Sequence, residues 1–331
     1  LNIKKTNQET FKLWEGINMS YFNNSLRAAM LALPLFVSVN AMAKDAKDIV
    51  IAVIPKVAVP FFDDCNTGAA NAAKALGVQY QWVVPQNTQG STQVKIMEDL
   101  IAKKVDGIAI SVNEPKSVEG VIKQAVAAGI KVLTFDSDSA NSGRSMYIGT
   151  INKAAGATMG ESMGKALGGK GEVAIVTGQL GASNLNERID GIKSALAKYP
   201  DIKIVATEGT EDDLAKAVSV DEALFRGHPD LKGIFGVSQV GGPSVAKVMA
   251  TKEFGDKKNA VKVFAFDDLP DTVKGVKEGF ISGIMVQRPV TMGKLAVEHL
   301  VAQINGTETA PKDVDTGVTV VDASNLGSYT K

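Results

Sequence analysis

Short apolar runs alternate with stretches of helical periodicity along most of the chain. The first runs are IVIAVI (49–54), YQWVV (80–84), GIAISV (107–112) and KVLTFD (131–136). Between them, segments such as VKIMEDLIAKK and SVEGVIKQAVAAG place apolar residues every three to four positions, which predicts helices. The runs are continuous rather than alternating, as in strands covered by helices on both faces of a parallel sheet. Residues 51–78, IAVIPKVAVPFFDDCNTGAANAAKALGV, display one unit: a strand stopping at Pro55, a loop carrying Phe61 and Phe62, and a small-residue helix ending at Gly77.

The pattern restarts after Asn152 with EVAIVTG, IKIVATE, GIFGVS, VKVFAFD and ISGIMVQ, separated by helices around SNLNERIDGIKSALAKY, DDLAKAVSVDEALFRG and SVAKVMATKE. Two successive units of this kind predict an α/β fold of two lobes, each a parallel sheet flanked by helices. YIGTIN (147–152) is the expected first crossing between lobes. A late helix, TMGKLAVEHLVAQING, and a short strand, GVTVVDA, supply elements that could cross back and build a hinge of several strands.

Composition changes this picture little. The 331 residues carry zero formal net charge, with 45% hydrophobic and 22% charged residues, an ordinary globular balance with room for two cores. Balanced charge gives no support for a nucleic-acid surface. The N-terminus changes more. After Met19, a basic Arg27, an apolar run from Ala28 to Val39 and the small-x-small Ala41-Met42-Ala43 read as an export signal cleaved after Ala43. A membrane anchor would need a longer apolar run, and Pro34 interrupts a buried helix. Residues 1–18 read as an upstream extension or an alternative start, and no Cys near Ala43 suggests a lipoprotein. The mature chain would begin at Lys44 in the periplasm. Its single Cys65 has no disulfide partner and is expected to be buried.

In open parallel sheets the carboxyl ends of strands face the ligand crevice. Those positions here are Lys56, then Asp136-Ser137-Asp138, Ser238-Gln239, Asp267-Asp268 and Gln287-Arg288, with Arg188 early in a later helix. Carboxylates, amides and cations beside the flat rings of Phe61 and Phe62 suit a sugar, whose hydroxyls both donate and accept. Each residue also has a plainer role: Asp136 or Asp267 as a helix cap, Arg188 in a surface pair with Glu187 or Asp190, Lys56 solvated, and both phenylalanines in the core, although a helix start tends to bury one and expose the other. Enzyme signatures are missing. No GxGxxG follows the first strand, GQLGAS (178–183) has the wrong spacing, GKGE (169–172) reads as a turn before a strand, and no GxSxG or His-rich cluster occurs. His228 and His299 lie far from Cys65 in sequence. The expectation is a binding protein with no cofactor and no metal.

With PFF (60–62), GIAIS (107–111), FDSDS (135–139), YIGTIN (147–152), NERIDG (186–191), HPDLKGIFG (228–236), FAFDD (264–268) and IMVQRP (284–289) in that order, residues 48–331 resemble the type I periplasmic sugar-binding proteins of ABC importers, ribose/galactose branch. The resemblance implies a two-lobed fold with a three-crossing hinge near Thr150-Ile151, Gln287-Arg288 and Asp315-Thr316. The first lobe would be 48–150 plus 288–315, the second 151–287 plus 316–331, after a segment 1–43 outside the fold. It also implies roles. Phe61 and Phe62 would sandwich a sugar ring, and Asp136 would hold its hydroxyls. Arg188 would reach the ring oxygen or its neighbours from the second lobe, with Asp267, Gln287 and Ser238 or Gln239 as further contacts. Ser137 stands where ribose binders carry Arg, Val59 where they carry Asn, and an aromatic of the second lobe is replaced near Asp212. Lys56 with Asp136 also resembles the autoinducer-2-binding branch, so a small polyol is an alternative to a pentose or hexose. The implied partners of the monomeric receptor are an ABC permease and, in a second role, a chemoreceptor or sensor kinase.

Overall fold

The computed structural model describes residues 44–329. The export segment, its cleavage site and residues 1–18 lie outside the described residues. The chain builds β1 (Val50–Ile54), α1 (Pro60–Leu76), β2 (Gln79–Trp82), α2 (Gly90–Ala102), β3 (Gly107–Ile110), α3 (Pro115–Ala127), β4 (Lys131–Phe135) and β5 (Tyr147–Gly149). It continues through α4 (Asn152–Ala166), β6 (Lys170–Thr177), α5 (Ser183–Leu196), β7 (Asp201–Gly209), α6 (Leu214–Gly227), β8 (Leu231–Gly236) and α7 (Gly241–Met249). It ends with α8 (Lys257–Ala260), β9 (Lys262–Phe266), α9 (Pro270–Glu278), β10 (Gly283–Val286), α10 (Pro289–Ile304), β11 (Val314–Asp315) and β12 (Thr319–Val321).

Two six-stranded sheets result, ordered β11-β5-β4-β3-β1-β2 and β12-β10-β9-β8-β6-β7. The fold is two-lobed α/β, and every pairing is parallel except β10 with β12. The continuous apolar runs have a simple cause, because successive side chains of a strand enter different cores. In β1, Ile51 and Val53 join the core under α1 and α10, whereas Ala52 and Ile54 join the core under α2 and α3. In β6, Ala174 and Val176 face one core and Val173 and Ile175 the other. The chain leaves the first sheet after Gly149, returns when α10 packs on α1, adds β11 beside β5, and ends with β12 beside β10.

Some local expectations shift. GKGE is not a turn ahead of a strand: Lys170 already begins β6, and the turn lies at Gly168 and Gly169, both with positive φ. α1 does end where its sequence says, with Gly77 left-handed at φ 70°. Cys65 is fully buried, and burial pushes its thiol pKa well up. The helix α4 carries a weaker sequence signal than its neighbours: NKAAGATMGESMGKA is rich in small residues rather than sharply two-faced.

Those small residues let α4 and α5 touch backbone to backbone. A Cβ on Gly156 would lie 2.0 Å from the Arg188 carbonyl oxygen, and one on Gly191 would lie 2.1 Å from that of Lys153. Gly156→Ala is therefore expected to push the helices apart and cost about 3 kcal/mol of stability. A urea titration checks this, and an unchanged midpoint would show that α5 can move without penalty.

Candidate ligand cleft

The strands of both sheets end at one shared cleft. Residues just beyond β1 (Lys56), β4 (Asp136), β7 (Asp212), β8 (Ser238, Gln239), β9 (Asp267) and β10 (Gln287) line it, with Val57, Val59, Phe61, Phe62 and Leu185. The lobes meet across it through direct bonds. The Phe61 N–H donates to Gln239 Oε1 at 3.4 Å, Lys56 Nζ to Asn184 Oδ1 at 3.2 Å, and Asn184 Nδ2 to Asp136 Oδ1 at 3.4 Å.

Asp136 binds partners from both lobes. It is buried, accepts from Ser111 Oγ at 2.7 Å and lies 3.5 Å from Lys56 Nζ. Asp267 is also buried and accepts from Gln287 Nε2 at 3.0 Å. Burial pushes its carboxyl up to about 6, against the downward pull of Arg188. Asp136, Asp212 and Asp267 have φ of 58°, 59° and 67°, three of the five non-glycine residues described with positive φ. Asp tolerates this region better than most side chains, and such conformations gather at functional sites. In each case the left-handed residue lies at or just beyond a strand end, and its side chain lines the cleft.

Lys56, Phe61, Phe62, Asp136, Ser238, Gln239, Asp267 and Gln287 thus come together as cleft lining. Two other predicted residues do not. Ser137 is fully buried and faces the second lobe, its hydroxyl 3.2 Å from Ser183 Oγ, while Ser183 donates to the Asp138 carbonyl at 3.0 Å. Ser137 is therefore a lobe-to-lobe contact in this structure, because the turn at Asp136 directs only that residue of the DSD triplet inward. Asp138 is held by Arg144 Nε at 2.6 Å, and Arg144 also grips Asp313. Arg188 does not line the cleft either. It lies behind Gln287, 2% exposed, with its guanidinium carbon 3.8 Å from the centre of the Phe266 ring. Its N–H groups donate to Asn152 Oδ1 at 2.9 Å, the Val237 carbonyl at 2.8 Å and Gln287 Oε1 at 2.7 Å. Arg188 is the fixed support on which Gln287 is oriented, rather than a surface ion-pair partner.

The phenylalanines also differ from expectation. Both are buried, as the plainer reading of the pair as core allowed, although a helix start tends to expose one. Their rings meet edge to face, 5.2 Å between centroids and 89° between planes, and Phe62 packs edge-on to Phe135. Clasping a ring between two parallel faces needs about 7 Å, twice a van der Waals contact, so the pair offers one composite apolar wall instead.

Asn184 has no counterpart among the residues the sequence singled out, and Asp212 was marked there only as the place of a missing aromatic, not as a contact. Asn184 lies four positions before Arg188 on α5, hence on the same helix face, and that spacing was a usable signal. Asp212 lies three residues past the end of β7, at the carboxyl end of another strand.

Two sheets aiming their carboxyl ends at one polar cleft define a two-lobed solute receptor. The chain belongs to the family described as periplasmic binding protein domain, which matches residues 51–308. It is 28% identical to the xylose/arabinose-binding protein XylF of Sulfolobus acidocaldarius, over 82% of this chain and 70% of that one. It is 27% identical to the ribose import binding protein RbsB of Escherichia coli, over 85% and 92%. Among solved structures, an ABC transporter solute-binding protein from Burkholderia graminis in complex with D-arabinose is 74% identical, with a TM-score of 0.85, covering 87% of this chain and all of that one.

Proposed function

We propose that this protein is a periplasmic receptor that captures a free aldopentose, D-arabinose in particular, and delivers it to an ABC permease. One observation carries the reading: the cleft combines buried acceptors (Asp136, Asp267), amides (Gln239, Gln287), one ammonium (Lys56) and an apolar wall (Phe61, Phe62). A polyhydroxylated ring uses all of these, its hydroxyls bridging acceptors and donors while its C–H face packs on the aromatic wall. The D-arabinose complex of the 74% identical relative supports a pentose over a hexose.

Capture follows from the topology. The chain passes between the sheets near Thr150, Gln287 and Thr316, and we assign the hinge to these segments. Ligand bound to Asp136 on one side gains further contacts from Gln239, Asp267 and Gln287 on the other only when the lobes meet. That differential affinity is what drives closure. No covalent step is involved.

Isothermal titration calorimetry of the chain from Lys44, refolded free of ligand, tests the proposal against D-arabinose, L-arabinose, ribose, xylose, galactose, glucose and autoinducer-2. One-to-one binding of D-arabinose at micromolar or tighter affinity is expected. Folded protein that ignores every pentose, or prefers a hexose or autoinducer-2, would overturn the assignment.

A further inference from the structure

We propose that Asp212 contacts the ligand directly and sets the specificity of the cleft for a sugar bearing a hydroxyl on the edge that faces the second lobe. This rests on reading the cleft as a sugar site. The turn after β7 is built to present this side chain. Thr210 N–H donates to the carbonyls of Thr177 and Gly178, and Glu211 N–H donates to that of Gly178. The turn then passes through two consecutive left-handed residues, Glu211 at φ 55° and Asp212 at φ 59°, an unfavourable pairing for residues that carry a Cβ.

Two plainer roles for Asp212 are already filled or ruled out. The cap of α6 is Asp213, whose carboxylate accepts from the Lys216 N–H at 2.7 Å. A solvated surface carboxylate would not need room cleared for it. Here a Cβ on Gly178 would lie 2.2 Å from Asp212 Oδ1, so Gly178 must stay bare for the carboxylate to reach its place. That place is the cleft wall, shared with Ser238. Burial and Asp136 push the Asp212 pKa up, while Lys56 of the first lobe and the Ser238 hydroxyl pull it down.

An ionised carboxylate only accepts hydrogen bonds. On the wall of a closed cleft it has the Ser238 hydroxyl beside it and lone pairs left over, and a sugar hydroxyl is the further donor a neutral ligand brings. A ligand lacking that hydroxyl leaves the charge poorly solvated and is rejected strongly, since sites built around a hydroxyl discriminate far better than apolar walls. An aromatic wall at the same position would offer no acceptor.

The test is calorimetry of wild type, Asp212→Asn and Asp212→Leu with D-arabinose and its monodeoxy analogues, with folding checked by thermal melting. Wild type should bind one analogue about 10- to 100-fold more weakly than the parent sugar. Asp212→Leu should bind the parent about that much more weakly and lose most of the penalty for the same analogue. Asp212→Asn, nearly isosteric, should fall between and serves if the leucine variant fails to fold. Unchanged affinity for the parent sugar, or an unchanged ranking of the analogues in a folded variant, overturns the assignment to Asp212 while leaving the pentose reading intact. No pentose binding by wild type overturns both.

Discussion

Asp136→Asn is expected to weaken pentose binding about 1,000-fold. The substitution keeps the left-handed backbone at φ 58°, which asparagine also tolerates, so its effect isolates the charge. A charged acceptor contributes about 1.5–3 kcal/mol per hydrogen bond, and a carboxylate serving two sugar hydroxyls is worth roughly 4 kcal/mol, which converts to that factor. The loss has a second source. Lys56, buried and 3.5 Å from Asp136, loses its nearest anion, while Asn184 loses the charged acceptor at 3.4 Å that ties α5 to the first lobe. Calorimetry reads the affinity directly, and a loss smaller than about 5-fold would show that Asp136 serves the closed protein rather than the ligand.

Arg188→Met should cost about 3–5 kcal/mol of folding stability and abolish binding, although Arg188 does not line the cleft. Methionine fills part of the space on the Phe266 ring but leaves the Asn152 amide oxygen and the Val237 carbonyl without the Arg188 donor, and leaves Gln287 Oε1 with the Thr150 hydroxyl alone at 3.0 Å. Gln287 then keeps only the Thr150 hydroxyl and its own bond to Asp267 to orient it. The variant should also differ in pH dependence. The folded pKa of Asp267, already raised by burial to about 6, rises further once Arg188 stops attracting the ionised form. A carboxyl with a raised folded pKa binds more protons folded than unfolded, so stability falls as pH rises through that range. The gap between wild type and variant should therefore be wider at pH 8 than at pH 5. Urea titrations at both values decide it, and a constant gap would mean that Arg188 acts by packing alone.

The layout of strands and helices was legible because each apolar run feeds two cores at once. Ile51 and Val53 go one way and Ala52 and Ile54 the other, so no position in the run can be polar. The strand-end rule then located most of the cleft, because direction alone places Lys56, Asp136, Asp267 and Gln287 at one edge. What the sequence withheld was which neighbour of a strand end turns inward. In the triplet at 136–138 only Asp136 does, since its left-handed backbone rotates Ser137 toward Ser183 and leaves Asp138 to Arg144. Contacts between lobes were hidden for another reason. Asn184 meets Lys56 across a sequence separation of 128, and no local periodicity encodes such a meeting.

The late return of α10 also governs the order in which the molecule can form. Met292, Ala296, Val297, Leu300 and Val301 complete the same core as Ile49, Ile51, Val53 and Phe62, at the opposite end of the chain. A ribosome reaches these residues only after the whole stretch 151–287 of the second lobe, so the α1 face of the first sheet stays uncovered until then, while the α2 and α3 face can already close. A chain that must cross a membrane before it folds gains from that delay. The first lobe thus reaches its complete core only once α10 has been made, whereas the second-lobe cores draw on no residue of that helix.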